Sequence, residues 1–274
     1  MLVNLKEIIA MADRENRGVA AFNVFGFEDA KAVVWAAEET GRPVALMANK
    51  DAVAHMGVKL IGMIMREVAI EAKVPVCVHL DHATQLEIIE GAIEAGYTSV
   101  MFDGSQLPFE ENVRLTRQVV DMARPKNVSV EAEIGAVGYS DKTIPFCARY
   151  TEPEEAKAFY DATGVDALAV AVGTVHRMEQ QSACLQFDRL QRIAQMAKVP
   201  LVIHGSTGVA DEDLTRLVQS GARKINLGTT LRMTFGAALR RQFEEDAHVF
   251  DRIQLYKRCM EDVRCKAKEK LLLI

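Results

Sequence analysis

The sequence predicts an α/β protein, a single-domain (β/α)8 TIM barrel with extra C-terminal helices, and three observations carry that prediction. Eight short apolar, β-branched stretches recur along the chain, each followed by a stretch with helical spacing. The junctions Gly41-Arg42-Pro43-Val44, Ala72-Lys73-Val74-Pro75-Val76 and Ala197-Lys198-Val199-Pro200-Leu201 enter strands in the same way, as repeated units should. A chain of 274 residues with 49% hydrophobic content can bury one large core. Alternating strands and helices imply a parallel sheet, and eight strands close a barrel. An open doubly wound sheet is the alternative. It would need a GxGxxG turn after the first strand, which Phe22-Asn23-Val24-Phe25-Gly26 does not supply.

The elements follow in order. An amphipathic helix spans Val3–Arg14. Strand Gly18–Val24 precedes helix Phe27–Thr40, which Gly41 ends, and strand Pro43–Ala48 precedes helix Ala52–Ala72. Strand Val74–His79 gives way to a loop at Asp81-His82, then helix Gln85–Ala95. Strand Thr98–Phe102 leads to helix Phe109–Ala123. Strand Val128–Ile134 opens a long polar loop to Tyr150, and helix Glu154–Thr163 follows. Strand Ala167–Val172 opens a second loop, Gly173–Leu185, before helix Phe187–Ala197. Strand Pro200–His204, helix Asp211–Ser220 and strand Lys224–Leu227 complete the repeat, and helices fill the remainder. No linker rich in Pro, Gly or Ser divides the chain, so residues 1–274 are read as one domain.

Composition removes several classes of function. The net charge is −5 with no broad basic field, which argues against nucleic acid as a partner. No apolar stretch reaches the length of a membrane span, and Met1–Glu7 lacks the pattern of a signal peptide. The five cysteines, Cys77, Cys147, Cys184, Cys259 and Cys265, form no CxxC pair. They are expected to be reduced thiols in a cytoplasmic protein.

Polar residues at strand C-termini of such a barrel point to chemistry. Collected in order they are Asn23, Asn49, Asp81, His82, Asp103, Glu133, His176, His204 and Asn226. His82, His176 and His204 end or follow three different strands. Three imidazoles from separate strands can hold a zinc ion and leave one coordination position for substrate. A packed strand-end histidine with Asp81 capping the next helix would explain the Asp81-His82 pair taken alone. His79 is expected to be packed within its strand, and His55 and His248 to lie on helix surfaces. Two further stretches, His204-Gly205-Ser206-Thr207-Gly208 and Asn226-Leu227-Gly228-Thr229-Thr230, follow the seventh and eighth strands and open helices. Exposed backbone N–H groups there make an anion cradle, where barrels commonly bind phosphate.

These motifs resemble the class II, zinc-dependent ketose-bisphosphate aldolases, the tagatose- and fructose-bisphosphate aldolase group. The resemblance runs from about Leu5 to Thr230. It is carried by Ala21-Phe22-Asn23, His79-Leu80-Asp81-His82, Met101-Phe102-Asp103-Gly104-Ser105, Glu131-Ala132-Glu133-Ile134-Gly135, Val172-Gly173-Thr174-Val175-His176, His204-Gly205-Ser206-Thr207-Gly208 and Lys224-Ile225-Asn226. It implies that His82, His176 and His204 are zinc ligands. It implies that Asp81 is the acid/base at the aldehyde-derived hydroxyl, with Asp103 and Glu133 near an alternative metal position. Gly205, Ser206, Asn226 and Thr229 match contacts to the ketose phosphate. It further implies a homodimer or homotetramer, a monovalent cation (Na+ or K+) near the phosphate, and a sugar phosphate substrate. The implied reaction cleaves or forms a ketose 1-phosphate or 1,6-bisphosphate through the enediolate of dihydroxyacetone phosphate, with zinc as electron sink.

The chain departs from the pattern in three places. The loop after the fifth strand reads Gly135-Ala136-Val137-Gly138-Tyr139-Ser140-Asp141, and ungapped counting puts Asp141 where the family carries a glutamate base. Arg177 follows His176 where glycine is usual. Asn49 and then Lys50 follow the second strand where serine is usual. Arg177 or Lys50 could meet an anion on the aldehyde half, a phosphate or a sulfonate as in 6-deoxy-6-sulfofructose 1-phosphate. A non-catalytic barrel subunit is the alternative from another class, and a zinc hydrolase is a third that leaves both phosphate-type loops unexplained.

Overall fold

The structure, a computed structural model, describes residues 1–141, 143 and 147–274. Eight parallel strands form the closed sheet: β1 (Val19–Asn23), β2 (Val44–Ala48), β3 (Val76–Ala83), β4 (Ser99–Phe102), β5 (Ser129–Ile134), β6 (Ala167–Val170), β7 (Leu201–Ile203) and β8 (Ala222–Leu227). Each pairs with its neighbours in sequence, β8 returns to β1, and the predicted (β/α)8 barrel is therefore closed. The short strand Leu2–Val3 adds to the edge of β3, which the sequence reading did not anticipate.

Strand residues alternate between two environments, as the pleat requires. Ala20, Phe22, Val44, Leu46, Val76, Val78, Leu80, Val100 and Phe102 join the large cluster shared with the surrounding helices. The intervening residues Val19, Ala21, Ala45, Met47, Cys77, Met101, Ala167, Ala169 and Val202 form a second cluster with Leu5, Ile8, Ile9 and Ala12. The helix Leu5–Arg14 therefore plugs one end of the barrel with its apolar face. Asn4 starts that helix, and Asn4 and Glu7 satisfy each other's backbone N–H groups in a capping box. Polar side chains of the inward parity collect toward the other end.

Four expectations are corrected. The helix predicted over Ala52–Ala72 is two helices, Lys50–Met56 and Val58–Glu71, broken at Gly57 with φ +80°. Helical periodicity runs through the break, so the spacing of apolar residues concealed it. Strand β3 continues through Asp81 and His82 to Ala83 instead of ending before them, with a register shift against β4 between Leu80 and Ala83. The two long loops are also not wholly irregular: Gly138–Tyr139 pairs in parallel with Val175–His176. His55 is an exposed helical residue as expected, whereas the exposed His248 lies in a turn after Glu245.

Candidate active site

The inward parity of the strands delivers Asn23, Asp81, Glu133, His204 and Asn226 to one rim, all of them buried. His82 should point away from Asp81 under strict alternation. The register shift and a left-handed backbone at His82, φ +53°, turn it to the same rim. Strained conformations of this kind at non-glycine residues gather at functional sites. His176 arrives differently, held by the loop pairing that also lays the Tyr139 ring 5.0 Å from its own.

The three imidazoles converge. Ring centroids are 4.5 Å apart for His82–His204, 4.8 Å for His82–His176 and 6.0 Å for His176–His204. One nitrogen from each lies within 4.8 Å of the others, and a second such group joins His82, Asp103 and Glu133. Each of two rings is oriented by a carboxylate. His82 Nδ1 lies 2.9 Å from Asp103 Oδ2, and His204 Nε2 lies 2.9 Å from Glu131 Oε1. The nitrogens left over, His82 Nε2 and His204 Nδ1, face one another at 2.9 Å. Two imidazole lone pairs at that distance repel unless a cation or a proton lies between them. Glu133 Oε2 is 3.3 Å from His204 Nδ1, yet it is buried with no hydrogen-bond partner among the described residues. Converged imidazoles with carboxylate support and an orphaned carboxylate oxygen fit a divalent metal of the zinc type.

Charge follows from these contacts. Burial alone would raise the Asp81 pKa; the fields of His82 and then His204 outweigh it and hold the carboxyl below its ordinary value. At Asp103 burial is likewise outweighed, here by His82, and the carboxyl lies far below its usual range. Burial opposes a charged His204, but its contacts to Glu131 and Glu133 push its pKa up to about 10. His176 goes the other way, well below normal, through burial and then the neighbouring His82 and His204. Burial and then Lys224 bring His79 down to about 3, so His79 is a neutral packed ring, as expected. Asp81 is gripped by two amides, Asn23 Nδ2 donating to Oδ2 at 2.8 Å and Asn226 Nδ2 to Oδ1 at 3.3 Å.

His82 and His176 border a cavity that also reaches Asn49, Lys50, Arg177, Gly205, Ser206, Gly228 and Thr229, with His204 buried behind them. Gly205 has φ +67°, and a Cβ there would sit 2.8 Å from the Val175 carbonyl, so only glycine lets the two loops approach. Thr230 N donates to Thr207 Oγ1, tying the two predicted anion loops together. Asn49 lines the cavity, but its Oδ1 caps the helix Lys50–Met56 by accepting from Asp51 N and Ala52 N. Asp141 is not brought to the cavity. It is exposed, and its Oδ1 accepts from Thr143 N and Oγ1.

Sequence reasoning missed Asp51, Tyr139 and Arg232 at the cavity wall. Asp51 Oδ2 lies 3.3 Å from Arg177 and 3.5 Å from Arg232, and Lys50 Nζ stands 5.5 Å from the Tyr139 ring centroid. It also gave no role to Glu131 or Lys224. The signal was present: Glu131 shares strand parity with Glu133, and Lys224 with Asn226.

A parallel (β/α)8 barrel with polar side chains gathered at one rim defines a barrel enzyme. The family model described as "Fructose-bisphosphate aldolase class-II" matches residues 3–274. Fructose-bisphosphate aldolase of Geobacillus stearothermophilus is 39% identical over 256 residues, covering 91% of this chain and 88% of that protein. A 6-phospho-5-dehydro-2-deoxy-D-gluconate aldolase of Bacillus subtilis is 34% identical over 254 residues, covering 91% and 87%. The crystal structure of the YdjI aldolase from Escherichia coli K12 superposes with a TM-score of 0.88 at 33% identity, over 100% of this chain and 97% of that one. The chain thus belongs to the class II fructose-bisphosphate aldolase family and is an aldolase, a carbon–carbon lyase. The match extends past Thr230 through the C-terminal helices, further than the motifs alone carried the resemblance. Among the described residues, no helix is long and apolar enough to cross a membrane.

Proposed function

We propose that this aldolase is zinc-dependent and cleaves, or forms, a ketose 1-phosphate or 1,6-bisphosphate between dihydroxyacetone phosphate and an aldehyde. The observation that carries the reading is the convergence of His82, His176 and His204 beside Asp81. Those three histidines would hold the zinc, which supplies the electrophile that lets a carbanion form next to a ketone. Asp103 and Glu133 offer a second set of donors with His82.

The chain's own residues do the rest. Asp81, ionised and held by Asn23 and Asn226, takes the proton from the aldehyde-side hydroxyl during cleavage and returns it during synthesis. Gly205, Ser206, Gly228, Thr229 and Asn226 cradle the phosphate of the ketose half, with a monovalent cation accompanying that charge. Asp141, which the resemblance aligns with the family's glutamate base, is the carboxylate assigned to the ketose half. Lys50, Arg177 and Arg232 line the cavity wall, and Asp51 pairs with both arginines, so three cations share one wall carboxylate among the described ion pairs, which suits an anion on the aldehyde half. Phosphate, sulfonate and carboxylate all meet that requirement. The enzyme acts in the cytoplasm, its five thiols reduced, as a homodimer or homotetramer.

The test is zinc content after purification without chelator, followed by a retro-aldol panel. The panel holds fructose and tagatose bisphosphates, 6-deoxy-6-sulfofructose 1-phosphate and 6-phospho-5-dehydro-2-deoxy-D-gluconate, each with and without chelator. The expected result is stoichiometric zinc and chelator-sensitive release of a three-carbon fragment from at least one substrate. A chain free of zinc that cleaves nothing in the panel would overturn the reading and favour the non-catalytic barrel.

A further inference from the structure

One layer beneath the rim, Glu131, Lys224 and His79 face the barrel interior, and all three are fully buried. None of them lines the cavity. Glu131 Oε2 accepts from Lys224 Nζ at 2.8 Å, while Glu131 Oε1 lies 2.9 Å from His204 Nε2. His79 Nδ1 is 2.8 Å from Ser99 Oγ, which leaves its Nε2 3.8 Å from Glu131 Oε2. An ammonium is a donor only, and an ionised carboxylate an acceptor only. Lys224 therefore fixes Glu131 as an acceptor, Glu131 fixes the hydrogen of His204 on Nε2, and Nδ1 becomes the nitrogen presented to the site. A buried ion pair adds little stability over well-packed apolar side chains, so folding alone does not account for its presence in a barrel interior.

The geometry points to Glu131 and Lys224 as a positioning pair that sets the tautomer and direction of His204, and through it the affinity of the site for zinc. This inference rests on the reading of His204 as a zinc ligand. Neither side chain lines the cavity, so both act through His204.

Two double variants test it. Removing one partner alone would strand a buried charge and endanger the fold, so both partners change together. E131Q/K224M keeps the shapes but leaves the amide free to turn either its oxygen or its NH2 toward His204. E131L/K224M removes the acceptor. Zinc affinity is measured by competition with a chromophoric chelator, and cobalt(II) is loaded as a spectroscopic probe of ligand number. Thermal unfolding of the metal-free chains records stability separately. The expected outcome is a loss of zinc affinity of about 10–100-fold in E131Q/K224M, larger in E131L/K224M, with an altered cobalt spectrum. A purely structural role would lower the melting temperature and leave the zinc dissociation constant and cobalt spectrum as in wild type, which overturns the inference alone. A wild-type chain that binds no zinc overturns both this inference and the proposed function.

Discussion

Asp81→Asn isolates the proton-transfer step from metal binding. Asp81 is 3% exposed and belongs to neither candidate metal-binding group. The carboxylate accepts one amide hydrogen on each oxygen, from Asn23 at 2.8 Å and Asn226 at 3.3 Å. An asparagine must turn its own NH2 toward one of those donors. One buried hydrogen bond is then lost and two donors confront each other, at about 1–3 kcal/mol. In a chain of this length that corresponds to a fall in melting temperature of about 2–6 °C, small enough for the variant to remain folded. Losing the acid/base should lower kcat by about 10²–10⁴-fold. The assay is retro-aldol turnover of the best panel substrate at saturating zinc, with bound zinc measured on the same sample. Full zinc occupancy with kcat reduced a hundredfold or more is the expected pattern. A zinc-loaded variant turning over within threefold of wild type would refute the assignment, and the proton would have to move through another group at the rim.

Other perturbations probe other parts of the site. Gly205→Ala forces a left-handed φ on a residue with a Cβ and drives that atom against the Val175 carbonyl, next to His176. Melting should drop by about 3 °C or more and KM should rise for phosphorylated ketoses; unchanged values for both would contradict the close-approach account. Arg177→Ala and Arg232→Ala should each raise KM for substrates with an anionic aldehyde half while sparing those with a neutral one. Equal effects on the two substrate types would remove the wall cations from specificity. Asp29 gives a pH signature, because burial raises its carboxyl to about 6 even though Phe25 N donates to it. A carboxyl whose folded pKa lies above its unfolded value destabilises the fold when ionised, by at most about 3 kcal/mol for a shift of two units. That penalty is relieved as pH falls through about 6 toward the unfolded value. Asp29→Asn should therefore melt higher than wild type at pH 8, with the gap closing toward pH 4; a constant gap would contradict this.

The barrel was legible because its signal is repetitive. Eight apolar runs of strand length, each answered by a helical period, leave few other closed arrangements for a parallel sheet. The same repetition hid the break at Gly57, since apolar residues on either side keep helical spacing while the chain turns through φ +80°. Rim residues of simple strand parity were equally open to reading: Asn23, Glu133, His204 and Asn226 follow from counting along their strands. His82, named in the sequence from its place just past the predicted strand end, does not follow from parity. Adjacent strand residues point opposite ways, and only a bulge, which no local composition announces, brings Asp81 and His82 to the same rim.

Lys50 and Arg177 stand out in the sequence because they replace the residues usual in the family, whereas Arg232 sits one turn into the helix Thr229–Glu245, where no such contrast marks it. Distance along the chain from a strand end is a poor guide there, because the first turn of a helix that starts at the rim still overhangs the cavity. Glu131 and Lys224 were overlooked for the opposite reason. A charged residue in the middle of a barrel strand has no water to face, so each had to find a partner of opposite charge across the interior, and the partner it found is 93 residues away. Strand parity could have nominated both, but only a closed barrel brings β5 and β8 side chains within hydrogen-bonding distance. The contacts that orient His204 thus depend on closure of the whole fold, whereas the identity of the rim residues depends only on local alternation.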